Sequence, residues 1–95
     1  MVEEASDRRG FRVLGRVQGV GFRWTASRRA GELGLRGSIR NCPDGSVEIH
    51  AEGPRAAVER FAAWLAEGPG GARVDRVEEI RSTLPLPREG FTIVH

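Results

Sequence analysis

Apolar residues recur along this chain with two different periods, and the order in which the periods alternate leaves few folds open. Phe11, Val13 and Val17 alternate with Arg12, Leu14 and Arg16, which predicts a strand. Gly15, Gly19 and Gly21 crowd the loop that follows. Phe22, Ala26, Ala30 and Leu33 then fall at i, i+4, i+8 and i+11, one face of a helix, with Gly34 as its stop. Residues 35–41 read as a second strand. Cys42-Pro43-Asp44-Gly45 is a turn, because proline presets φ and glycine accepts a left-handed position. In the third strand, residues 46–52, Val47, Ile49 and Ala51 point inward, and Ser46, Glu48, His50 and Glu52 point to solvent. Strands two and three therefore form a hairpin.

Gly53-Pro54 opens a second helix with the core stripe Val58, Phe61, Ala62 and Leu65. Gly68-Pro69-Gly70-Gly71 ends it. Residues 74–82 read as a fourth strand. Val74, Val77 and Ile80 are spaced by three, which also fits a short helix unless a bulge intervenes. Phe91, Ile93 and His95 alternate in a short last strand. The order β-α-β-β-α-β, with an extra C-terminal strand, predicts an α+β, ferredoxin-like split βαβ fold. Right-handed crossovers place both helices on one face of an antiparallel sheet. Residues 1–9 are expected to be a polar tail and residues 10–95 one domain.

Composition excludes much. The 95 residues are 39% hydrophobic and 29% charged, the balance of one soluble globular domain. The longest apolar run is the six residues from Phe61 to Ala66, against the roughly 20 of a membrane helix. The N-terminus has no apolar signal region, and Cys42 is the single cysteine, so a cytoplasmic location is expected. The net charge of +2 is too small to argue for nucleic acid. All fifteen basic residues are arginine. Without lysine there is no Walker-type phosphate loop and no Schiff-base chemistry. Two histidines, one cysteine and no close carboxylate cluster give no metal-ligand spacing. An arginine six residues after Cys42 would suggest a cysteine phosphatase, but position 48 is Glu.

The chemistry-bearing stretch is Gly15-Arg16-Val17-Gln18-Gly19-Val20-Gly21-Phe22-Arg23, between a strand and a helix. Glycines there let successive N–H groups turn inward, and a helix N-terminus completes an anion cradle. Arg23 opposes the helix dipole at a cost of roughly 0.3–1 kcal/mol. It either grips a bound anion with its planar fork or extends to solvent. Asn41, at the end of strand two, is either a turn residue or an amide that orients water. His50 is expected to be solvated, and Trp24 and Trp64 to be partly buried at the edges of their helix stripes.

These residues resemble a known family. The run from Gly15 to Arg23 is similar to the phosphate-loop signature of the acylphosphatase family. Gly37-Ser38-Ile39-Arg40-Asn41, followed by Gly45, Val47 and Gly53, is similar to its second motif. Residues 68–77 resemble its loop into strand four. The likeness spans residues 11–95. It implies the ferredoxin-like fold and hydrolysis of small acyl phosphates to carboxylate and inorganic phosphate, without metal or cofactor. It implies that Arg23 binds the phosphate, with backbone N–H groups of Val17, Gln18, Gly19, Val20, Gly21 and Phe22, and that Asn41 positions the attacking water. A monomer acting on a small molecule, with no nucleic acid or membrane partner, is expected. Ser38 departs from the family's usual aromatic; by strand parity it faces away from Asn41 and Ile39. The rivals are a catalytically silent anion-binding module and an RNA-binding domain. The latter would stack bases on aromatics of the central strands, which strand three lacks. A site this shallow predicts loose selectivity for the acyl group.

Overall fold

The computed structural model describes residues 5–94. Seven elements follow one another: β1 (Ser6–Arg16), α1 (Phe22–Glu32), β2 (Arg36–Asn41), β3 (Val47–Pro54), α2 (Arg55–Glu67), β4 (Arg73–Ile80) and β5 (Phe91–Val94). They form one five-stranded sheet in the order β4-β1-β3-β2-β5. The ferredoxin-like order read from periodicity is the order observed.

Two details differ from expectation. β5 lies parallel to β2, with Ile39 opposite Ile93, so the sheet is mixed rather than wholly antiparallel. The strand expected to begin after residue 9 begins at Ser6, which pairs with Pro54. Polar side chains hid this part of β1, because backbone pairing does not require apolar residues. Residues 1–4 of the expected tail, and His95 of the expected last strand, lie outside the described residues. The bulge needed to make residues 74–80 a strand is present: Leu14 pairs with Arg76 and Gly15 with Val74, leaving Asp75 as the extra residue.

The core lies between the sheet and the helices. Phe11, Val13, Ile39, Val47, Ile49 and Ala51 of the sheet meet Phe22, Ala26 and Ala30 of α1 and Val58, Phe61 and Leu65 of α2. Trp64 is half-buried, stacked 6.2 Å from Phe61 and tilted 6.3 Å from Phe22. Trp24 is not: it is 62% exposed, a correction to the partial burial expected.

The helix-free face of the sheet is more ordered than its polar pattern suggests. His50, expected in solvent, is 3% exposed. Its Nδ1 is 2.8 Å from Ser82 Oγ and its Nε2 is 3.0 Å from Glu48 Oε2. Arg8 Nε donates to the same serine oxygen at 2.9 Å. The segment 81–90 runs from β4 to β5, at opposite sheet edges, and covers this row. Ser38 sits on the same face, opposite His50 and Thr92 in register.

Candidate active site

The junction between β1 and α1 is built on left-handed glycines. Gly19 and Gly21 have φ of 74° and 76°. Each has open space where a side chain would start, so it is the backbone conformation that demands glycine. Gly21 caps α1 without a side-chain hydrogen bond, and its carbonyl accepts from the Thr25 N–H at 3.0 Å. The first turn of α1 has no acidic residue. The positive end of the helix is thus left to whatever binds there.

Two ties bring distant segments to this junction. Gln18 Nε2 donates to the carbonyls of Cys42 and Ser46, at 2.8 and 2.9 Å. The loop is thereby fastened to the β2–β3 turn, beside Asn41. That turn is itself braced by Asp44, whose carboxylate accepts from the hydroxyl and N–H of Ser46 at 2.6 and 2.9 Å. Those hydrogen bonds hold the Asp44 carboxyl below its ordinary value. The second tie is Arg23 Nη1, which donates to the Val94 carbonyl at 3.2 Å and so joins α1 to β5.

The result is a concavity of about 280 Å³ at one end of the sheet, lined by Val17, Gly19, Gly21, Phe22, Arg23, Trp24, Asn41 and Ile93. Of the residues singled out from sequence, Arg23, Asn41, Val17, Gly19, Gly21 and Phe22 are brought together here. Val17 and Phe22 are each 1% exposed, so their side chains belong to the core. Gln18 uses its side chain as the tie, and Val20 packs against the core. Cys42 is a buried turn residue. Sequence reasoning missed Ile93 and Val94, whose place beside the loop depends on the parallel docking of β5. It also missed Trp24, whose position directly after Arg23 and off the core stripe was the available signal. Among the described residues no group of three or more His, Cys, Asp or Glu could hold a metal ion, and no helix is long and apolar enough to cross a membrane.

A ferredoxin-like α+β domain with an uncapped, glycine-built strand–helix junction facing an arginine and an amide is the class that fold and site define. Comparison with known proteins narrows it. The acylphosphatase family profile matches residues 9–93. An acylphosphatase from Thermococcus kodakarensis is 50% identical over 84 residues, covering 88% of this chain and 91% of the relative. One from Yersinia pseudotuberculosis is 50% identical over 82 residues, 85% and 88% of the two chains. The solved structure of an acylphosphatase from Coxiella burnetii superposes with a TM-score of 0.85 at 32% identity, covering 94% of this chain and 93% of that one. One from Bacillus subtilis gives 0.84 at 35% identity, covering 93% and 98%. The fold also matches 11% of HypF from T. kodakarensis, at 38% identity over 90% of this chain, with a TM-score of 0.74. The chain belongs to the acylphosphatase family, and its function is that of an acylphosphatase, a hydrolase.

Proposed function

We propose that the chain hydrolyses the carboxyl–phosphate bond of small acyl phosphates, with Arg23 and the backbone of residues 17–23 holding the phosphate and Asn41 orienting the water. One observation supports this reading above the others: Arg23 and Asn41 line the same concavity as Gly19 and Gly21. The phosphate oxygens take the N–H groups of the left-handed loop and the uncapped first turn of α1. The Arg23 guanidinium, anchored through Nη1 on Val94, adds its remaining N–H donors and a full positive charge. Asn41 accepts a hydrogen bond from the water through its amide oxygen and donates one to a phosphate oxygen through its amide nitrogen, which aims the water at phosphorus. The water oxygen bonds to phosphorus, the bond to the acyl oxygen breaks, and the carboxylate leaves. The water proton passes to a phosphate oxygen. Phosphoryl transfer of this kind depends on position and charge more than on a strong base, and the carboxylate is a good leaving group.

Hydrolysis of benzoyl phosphate in excess EDTA tests the reading. Arg23→Lys keeps the charge but loses the fork, and should lower kcat/KM by about 10²-fold or more. Asn41→Ala should lower kcat by about 10²-fold, the usual effect of misplacing a reactant. No turnover by a folded wild type, or full activity in either folded variant, would refute these roles. We also propose a cytoplasmic monomer. The RNA-binding alternative finds no support: Phe11 is 2% exposed in the core, and the face of β3 away from the helices carries no aromatic residue and is covered by segment 81–90, with Glu48 and His50 buried.

A further inference from the structure

We infer that Trp24 is the acyl-side selectivity residue, and that the site favours acyl phosphates with a flat, conjugated acyl group over those with a short aliphatic one. The inference rests on the acyl phosphate reading above and adds the substrate class. Trp24 is the most exposed large apolar side chain described, 62% accessible, although α1 offers a core stripe two residues away on either side. Trp24 also lines the concavity that holds Arg23 and Asn41, with Ile93 of β5 as a second apolar wall.

The two ends of an acyl phosphate fit the two parts of this concavity. The phosphate end takes the loop N–H groups and Arg23. The acyl carbon and its substituent then leave along Trp24 and Ile93, the apolar lining residues that are not fully buried. Arg28, one helical turn on, lies over the indole with its guanidinium carbon 5.7 Å from the ring centroid. It braces the ring from one side, so less rotational freedom is lost when a substrate packs against the indole. A conjugated acyl group gains ring contact there; a methyl group does not. The discrimination is modest, because one aromatic contact changes affinity by about two- to tenfold. It therefore sits within the loose selectivity that a shallow site predicts.

The test compares benzoyl phosphate with acetyl phosphate for the wild type, Trp24→Phe and Trp24→Ala. The ratio of kcat/KM, benzoyl over acetyl, should fall about fivefold in Trp24→Ala and be largely kept in Trp24→Phe, with the change in KM. Benzoylphosphonate and acetylphosphonate, whose carbon–phosphorus bond resists hydrolysis, give the same ratio as Kd by calorimetry. A wild type that hydrolyses neither substrate refutes the parent reading, while the calorimetric ratio still decides the role of Trp24. An unchanged ratio in folded Trp24→Ala overturns the inference, as does an equal loss for both ligands.

Discussion

A methyl group at position 15 would stand 2.0 Å from the Arg73 carbonyl oxygen. Gly15 also has φ of 135°, where side chains are strained. This is the point at which the bulge brings β1 and β4 together, so neither strand can give way alone. Gly15→Ala should destabilise the fold by more than the roughly 1–3 kcal/mol of backbone strain alone, read by urea unfolding. Gly19→Ala meets no neighbour, and its effect should fall on KM for the acyl phosphate as well as on stability. Equal stability losses in the two variants would show that the close approach to Arg73 does not matter. The sequence reading places both glycines in the loop, which holds for Gly19, whereas Gly15 lies within β1 and pairs with Val74. Which of them makes room for a strand and which bends the loop before α1 was not legible, because that depends on a strand some sixty residues away, at Arg73.

Segment 81–90 must carry the chain from one edge of the sheet to the other, across β1, β3 and β2. Each crossed strand holds it. Arg8 of β1 donates to Ser82 Oγ and to the Leu84 carbonyl, and His50 of β3 meets Ser82. Arg36 of β2 donates to the Pro87 carbonyl at 2.8 Å, and the Gly37 N–H to the Gly90 carbonyl at 3.0 Å. Arg36 also pairs with Glu52. Ser82→Ala leaves Arg8 and the buried His50 without their shared oxygen. It should lower stability by about 1–3 kcal/mol, the usual effect of stranding a buried polar group. Urea unfolding that matches the wild type would contradict the assignment. The helices and the hairpin could be read from residues 11–65 because their periods are local. The strap has no period, and its partners Arg8, Arg36 and His50 are far from it in sequence. For that reason His50 was expected in solvent, and the direction of β5 could not be told from Phe91 and Ile93 alone.

The net charge is +2 at pH 7, and the onset of acid destabilisation is shaped by particular carboxylates that the fold holds ionised. Burial alone would raise the Glu48 carboxyl, but hydrogen bonds from His50 and Arg40, with the nearby Arg40 charge, outweigh it and hold the group below its ordinary value of 4.5. Asp44 shifts in the same direction, through its hydrogen bonds with Ser46. A depressed carboxyl stabilises the fold fully above its unfolded value, and that stabilisation is lost as pH falls through the native value. The Tm of the wild type should therefore drop below about pH 4. Glu48→Gln should be less stable than the wild type at neutral pH, and the gap should close in acid. A gap that stays constant from neutral to acid pH would rule out Glu48 as the titrating group.

The hydrogen bond from Arg23 to Val94 ties α1 to the last strand of the sheet. β5 can dock only beside a formed β2, and β2 only beside β3. The concavity thus draws on residue 17 and residue 93 at once, and no shorter folding unit contains both. Such long loop closures make a sheet of this order slow to assemble. During refolding, hydrolytic competence should appear as a late event that coincides with closure of the whole chain, with no active fragment preceding it.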